Sequence, residues 1–271
     1  MVTTTNRLAS YRELLRSFVR RDLTARYRGS ALGFLWTFLN PLMMLLVYWF
    51  LFKVVSRGAD TGKSYAVFLF AGFLPWTFLT NALIQATGSI KNNGNLVKKV
   101  FFPNEILPLS AIISAFISFL FTLLLLVPLL VGFSYPWLTI NLLLLPSLFL
   151  LLLGFAVGLG LLLATATVFF RDIEHIIGVV LSAWFFLTPI LYPDSFLNSL
   201  LGHQSRLLIV VLLNPLTGWF VTYRSILLNG RLPTVPYAAP SLVYMVAATV
   251  VFVAVGILTF NRLKYRFEEE L

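Results

Sequence analysis

Cysteine is absent from the 271 residues, which excludes disulfides, thiolate metal sites and cysteine nucleophiles. Acid is scarce too. The ten carboxylates are Glu13, Asp22, Asp60, Glu105, Asp172, Glu174, Asp194, Glu268, Glu269 and Glu270, and each falls in a loop or at the edge of an apolar run. An intramembrane enzyme, or a carrier driven by protons or sodium, needs ionisable groups converging within the bilayer, where each is costly. The apolar runs carry no such groups. Of the two histidines, His175 sits among charges and His203 beside Gln204, so neither has a partner at metal-ligand spacing. No metal site is expected. The first thirty residues are charged throughout and lack a short apolar core with a cleavage site, so the start of the chain is expected to be retained. Thr61-Gly62-Lys63-Ser64 ends like a phosphate-binding loop, but the pattern asks for glycine where Arg57 stands. This chain is not expected to bind nucleotide.

What is present is apolar: 59% hydrophobic residues against 11% charged, with a mean hydropathy of +0.91. That balance describes an all-α polytopic membrane protein. Runs long enough to cross about 30 Å of hydrocarbon lie near 31–52, 65–90, 106–133, 140–170, 176–192 and 239–260. Six spans put both ends on one side. Arg7, Arg12, Arg16, Arg20, Arg21, Arg26, Arg28, Lys91, Lys98, Lys99, Arg171, Arg262, Lys264 and Arg266 share the face of the termini; Lys53, Arg57, Lys63, Arg206, Arg224 and Arg231 take the other. The positive-inside rule makes both termini cytoplasmic. The net charge of +10 is thus a topology signal, and no separate basic domain for nucleic acid exists.

Residues 1–30 form an amphipathic surface helix. Leu8, Tyr11, Leu15, Phe18, Leu23 and Tyr27 recur at helical spacing between arginines. Ser10 with Glu13 is a capping-box pattern expected to start it, and Gly29-Ser30 is the expected bend into the membrane domain, 31–271. Between spans five and six, 194–238 is too interrupted by Asn214-Pro215 for a seventh span that keeps the charge rule. Two short re-entrant helices on the outer side, lining or lidding a cavity, fit better. The loops 91–105 and 169–176 mix apolar and charged residues. That suits docking to a protein, or equally a charged stop at a helix end. Rings are dense in span one (Trp36, Tyr48, Trp49, Phe50), around Pro75 (Phe73, Trp76) and in span five (Trp184, Phe185, Phe186, Tyr192). Facing a pathway they would stack on sugars; facing lipid they are anchors or bulk.

Arg20-Arg21-Asp22-Leu23-Thr24-Ala25-Arg26-Tyr27-Arg28-Gly29-Ser30-Ala31-Leu32-Gly33-Phe34-Leu35-Trp36 resembles the R-D-L-x-x-R-Y-R-x-S-x-L-G-x-L-W signature of ABC-2 type permeases that export bacterial surface polysaccharides such as O-antigen and teichoic acid. Phe102-Pro103-Asn104-Glu105-Ile106-Leu107-Pro108, Phe170-Arg171-Asp172-Ile173 and Asn214-Pro215-Leu216-Thr217 resemble three further motifs of that family, in order. The resemblance implies a homodimer in the bacterial cell membrane with two copies of a separate ATP-binding subunit, which would hold ATP and magnesium; no cofactor is implied here. It implies a lipid-linked polymer as cargo, passed between the two copies. ATPase coupling then falls to Arg16, Arg20, Asp22, Val97, Lys98, Lys99, Phe102, Pro103, Glu105, Arg171, Asp172 and Glu174. Arg20, Arg26 and Arg28 would meet the lipid pyrophosphate, Trp36, Tyr48, Trp49, Phe73, Trp76, Trp184, Phe185 and Tyr192 would line the path, and Asn214, Pro215 and Trp219 would belong to the outer gate. A permease for a small hydrophobic cargo, or a membrane-bound glycan enzyme, are the competing readings.

Overall fold

The computed structural model describes residues 4–26, 29–55, 65–99, 102–136, 138–192 and 213–271, with side chains for all of these except 4–10, 34, 48–49 and 51–55. Among the described residues every regular element is a helix. In chain order these are α1 (Thr4–Ala25), α2 (Trp36–Val55), α3 (Tyr65–Ser89), α4 (Gly94–Lys99), α5 (Ile106–Leu123), α6 (Leu126–Gly132), α7 (Leu145–Phe169), α8 (Ile173–Leu187), α9 (Leu216–Asn229), α10 (Ala238–Leu263) and α11 (Phe267–Glu270). Among the described residues four stretches are long and apolar enough to cross a membrane: Tyr65–Ser89, Ile106–Gly132, Ile140–Phe169 and Ala238–Glu270. Trp36–Val47 and Ile173–Leu187 are shorter apolar helices.

Several boundaries differ from the sequence reading, and local chemistry says why. The helix begins at Thr4, so Ser10 lies inside it and not at its start; no glycine or proline between them gives the chain a reason to stop. It ends at Ala25, and Gly29 then takes φ +80°, a conformation that favours glycine, as the chain turns toward α2. The run 106–133 is two helices. Pro128 cannot donate to the carbonyl of Leu124 and its ring crowds it, so α5 closes with the Leu124 N–H on the carbonyls of Phe121 and Thr122. The run 140–170 opens as a 3-10 turn at Ile140–Leu144 before α7. The fifth run starts earlier than 176 and stops at Leu187, because Thr188 precedes Pro189 and is extended, at ψ 138°.

The helices pack around one long core. Phe70, Leu74, Phe78, Leu79 and Leu83 of α3 meet Ile112 and Phe119 of α5, Leu152 and Phe155 of α7, and Trp219 and Tyr223 of α9. A second, smaller core closes one end of the bundle: Ile90, Val97, Leu107, Val168, Phe260 and Phe267 gather there, with Phe18 and Phe102 at its edge. Loops distant in sequence therefore share one end, and it is the end that carries Arg21, Lys91, Lys98, Lys99, Arg171, Lys264 and Arg266.

At the opposite end lies α9. At about 1.5 Å per residue its 14 residues reach roughly 21 Å, short of a full crossing. Residues Leu216 to Leu228 are all buried, so Arg224, grouped above with the outer loops, is interior. Its guanidinium donates to the Ile190 carbonyl at 3.1 Å and lies 4.1 Å over the Phe68 ring. Of the stretch 194–238, expected from the sequence to re-enter, the part 194–212 lies outside the described residues.

Candidate functional site

The basic end is assembled around the junction of α1 with α5 and the loop that follows α3. One face of α5 carries Ser110, Ser114, Ser118 and Thr122 at four-residue spacing, a hydroxyl row on an otherwise apolar helix. Asp22 and Arg26, also four apart, reach that row from α1. Ser110 Oγ donates to Asp22 Oδ2 at 2.9 Å. The Arg26 guanidinium donates to Ser114 Oγ at 3.0 Å, to Ser118 Oγ at 3.2 Å and to Gln85 Oε1 of α3. Each partner here is polar and uncharged except Asp22, so the row lets two charges enter a bundle that would otherwise exclude them.

A second set of contacts ties α1 to the loop segments. Arg21 pairs with Asp22 at 3.1 Å, donates to Asn93 Oδ1 at 3.2 Å and lies 4.4 Å over the Phe18 ring. Phe18 stacks on Phe102 with centroids 6.0 Å apart. Burial, and then the Glu105 carboxylate, hold the Tyr11 phenol above its usual range, which places the start of α1 beside the 102–105 turn. That turn, with Val97, Lys264, Tyr265 and Glu268, borders a groove of about 490 Å³. The first turn of α8 joins through the ion pair of Lys91 Nζ with Glu174.

Of the residues expected to couple to an ATPase, Asp22, Val97, Phe102 and Glu105 come together at this junction, and Glu174 joins it through Lys91. Arg16, Arg20, Lys98, Lys99, Pro103, Arg171 and Asp172 are exposed on the same end. Of the three arginines assigned to the lipid pyrophosphate, Arg20 is exposed, Arg26 is turned into the bundle, and Arg28 lies outside the described residues. Sequence reasoning passed over Phe18, Arg21, Gln85, Lys91, Asn93 and the serine row. The row alone had a visible signal, its four-residue period.

The rings divide. Trp76 is buried and packs edge-on to Trp184 at 6.4 Å and against Phe185 at 5.7 Å. Trp36 is exposed, Phe73 and Tyr192 are half-buried, and the side chains of Tyr48 and Trp49 lie outside the described residues. Around Asn214 the chain is fastened. Its Oδ1 accepts from Trp184 Nε1 and from the Leu216 N–H, both at 3.0 Å, while its Nδ2 donates to Thr188 Oγ1 at 2.9 Å and the Leu187 carbonyl at 3.2 Å. Pro215 then sits at the start of α9. Trp219 is fully buried, stacks on Tyr223 at 4.9 Å and donates to the Leu148 carbonyl at 2.7 Å.

The sequence pattern of the ABC-2 type transporter matches residues 13–228, from the α1 junction to the end of α9. The chain belongs to the ABC-2 type transporter family. This ABC-2 chain is 38% identical over 257 residues to the O-antigen export system permease protein RfbA of Myxococcus xanthus, covering 93% of this chain and 96% of that one. It is 31% identical to the RfbA protein of Klebsiella pneumoniae, covering 96% and 95%. A more distant likeness, 24% identity over 64% of this chain and 67% of the other, links it to the polysialic acid transport protein KpsM of Escherichia coli. No cluster of metal-ligating side chains occurs among the described residues of this ABC-2 chain.

Proposed function

We propose that this chain is the membrane-spanning subunit of an ATP-driven exporter that carries a lipid-linked polysaccharide, of the O-antigen or teichoic acid class, across the bacterial cell membrane. The carrying observation is the near full-length similarity to O-antigen export permeases. The chain works as a homodimer of six-span subunits with both termini cytoplasmic, and two copies of a separate ATPase dock at the basic end. A rigid element is needed to carry ATPase motion into packed helices. The α1 helix is that element here, because Asp22 and Arg26 fix it to α5 and Phe18 fixes it to Phe102. Exposed Arg16, Arg20, Lys98, Lys99, Arg171 and Asp172 face the partner. Arg20, with Arg28, meets the pyrophosphate at the membrane surface, where each arginine contributes about 1 kcal/mol. The exposed Trp36 of α2 faces the path between copies, and the segment around Asn214, Pro215 and Trp219 gates its outer mouth.

The test is deletion of this chain. The expected outcome is a lipid-linked polymer accumulating on the cytoplasmic side, restored to export by the wild-type chain; accumulation of none would sink the proposal. A permease for small hydrophobic cargo is the second reading. The near full-length similarity to O-antigen export permeases counts against it.

A further inference from the structure

Two amides within the apolar helices have no function in the account above. Asn40 of α2 and Asn81 of α3 are both exposed on the isolated subunit, and both line one cleft between α2, α3 and α5. They sit about one and about two turns from the basic ends of their helices, inside the hydrocarbon zone that those helices would span. Lipid offers an amide no hydrogen bond, so a pair of amides turned to lipid is strongly disfavoured. They must face water, or something that replaces water.

The remaining walls say what that is. Thr77, Ser118 and Thr122 add hydroxyl oxygens whose protons go to carbonyls one turn back in their own helices, so that they stand as acceptors beside the two amides, which can donate; Thr37 adds a further hydroxyl, and Trp36 and Phe78 add ring surface. The volume is about 170 Å³, equal to roughly six water molecules or a single sugar ring. Among the described residues the cation lining the cleft is Arg26, and its guanidinium is engaged by Gln85, Ser114 and Ser118 with the Asp22 carboxylate one turn away. Little positive charge is left for a phosphate. Neutral groups that both donate and accept, set beside aromatic faces, match the hydroxyls and C–H face of a sugar.

We propose that this cleft is a sugar-binding site in the inner half of the membrane, which takes a neutral, hydroxyl-rich ring of the polymer and not its phosphate. The proposal rests on the export reading, and it places a cargo contact in the wall of one subunit. The natural chain has no cysteine, so a single introduced cysteine is a unique probe. In the complete exporter with its ATPase, in lipid nanodiscs, Asn40→Cys and Asn81→Cys are treated with a charged, water-soluble thiosulfonate. Val250→Cys, exposed on α10, is the lipid-facing control. Both cleft positions should react about tenfold faster than the control, since the reactive thiolate forms only in water. Octyl glucoside below its micellar concentration should slow them severalfold, and octyl phosphate should not. Reaction as slow as at Val250→Cys, equal protection by octyl phosphate, or no protection by either would overturn the proposal. In cells, Asn81→Leu should reduce export severalfold with ATP hydrolysis retained, and unchanged export would also overturn it. Failure of the export reading is separate: chain deletion would then accumulate no polymer whatever the labelling shows.

Discussion

The α7–α10 pair and the α2 and α8 helices are built from the same apolar residue types, yet they are held in opposite ways. Between α7 and α10 the backbones touch: a Cβ on Gly256 would lie 2.5 Å from the Gly158 carbonyl oxygen, and one on Gly158 would lie 2.5 Å from the Val253 nitrogen. Behind them α9 is buried from Leu216 to Leu228 and pinned at Asn214 and Trp219. Exposure does not separate them, since α2 leaves Met43, Leu46 and Phe50 more than half exposed and α8 Val179 and Phe186, as α10 does Val243 and Val250; what differs is that a Cβ on Gly178 of α8 would meet nothing within 4 Å. Lipid tails are as apolar as leucine, so hydrophobicity does not choose between lipid and a helix partner; close backbone approach and hydrogen bonds do. The α7, α9 and α10 helices have the close glycine approach and the Trp219–Leu148 hydrogen bond; α8 is fastened through Asn214 at its end, and its outer face, with that of α2, is left to offer a second copy.

The largest effect is expected where the fixed half is forced apart. Gly158→Leu places a side chain against the Phe252 and Val253 backbone, which cannot swing aside as a side chain would. Overpacking of that kind costs about 3 kcal/mol or more. The purified subunit should lose its sharp thermal transition and elute as aggregate. A well-folded Gly158→Leu protein would show that α7 and α10 separate freely, and the contrast with α2 would collapse.

Next is the latch between α1 and α5. Arg26→Leu leaves Gln85, Ser114 and Ser118 without their shared donor, a loss of roughly 2–3 kcal/mol. Export should fall sharply, and α1 should become readily cleaved by protease while α7 to α10 remain resistant. Uniform protease sensitivity across the chain would place the latch within the fixed half.

Smaller again is the Lys91–Glu174 pair. Its side chains are 36% and 31% exposed, so screening limits its worth to about 1 kcal/mol or less. Lys91→Glu and Glu174→Lys should each reduce export with little change in melting temperature, and the double exchange should restore it. If the double variant stays as impaired as the singles, the two loops are not coupled through this pair.

How much of this was legible follows from which forces act locally. Apolar runs and basic flanks gave the helices and the shared basic end, because hydrophobic length and charge are properties of a short window. The splits at Leu124 and Thr188 were equally local, written by Pro128 and Pro189. What stayed hidden was pairing. Nothing near Arg26 says that it turns inward while Arg20 stays outside; that choice depends on a serine row ninety residues away. The Asn214 hub is similar, since its partners Trp184, Leu187 and Thr188 belong to another helix.

The smallest expected effect tests the comparison most directly. Phe186 on α8 and Val250 on α10 are both about 60% exposed, at 60% and 62%, and by exposure alone they are equivalent. Truncating either to alanine removes few contacts within one subunit, so the stability of the isolated chain should change by about 0.5 kcal/mol or less in both cases. They differ in what surrounds them. Phe186 meets the Phe185 ring edge-on at 5.4 Å on α8, whereas Val250 lies on the outer side of a helix already held to α7. If the unpartnered half is the face that meets a second copy, Phe186→Ala should raise the monomer fraction of the purified complex and Val250→Ala should leave it unchanged. Equal behaviour of the two would assign both faces to lipid, and the second copy would have to be sought elsewhere on the subunit.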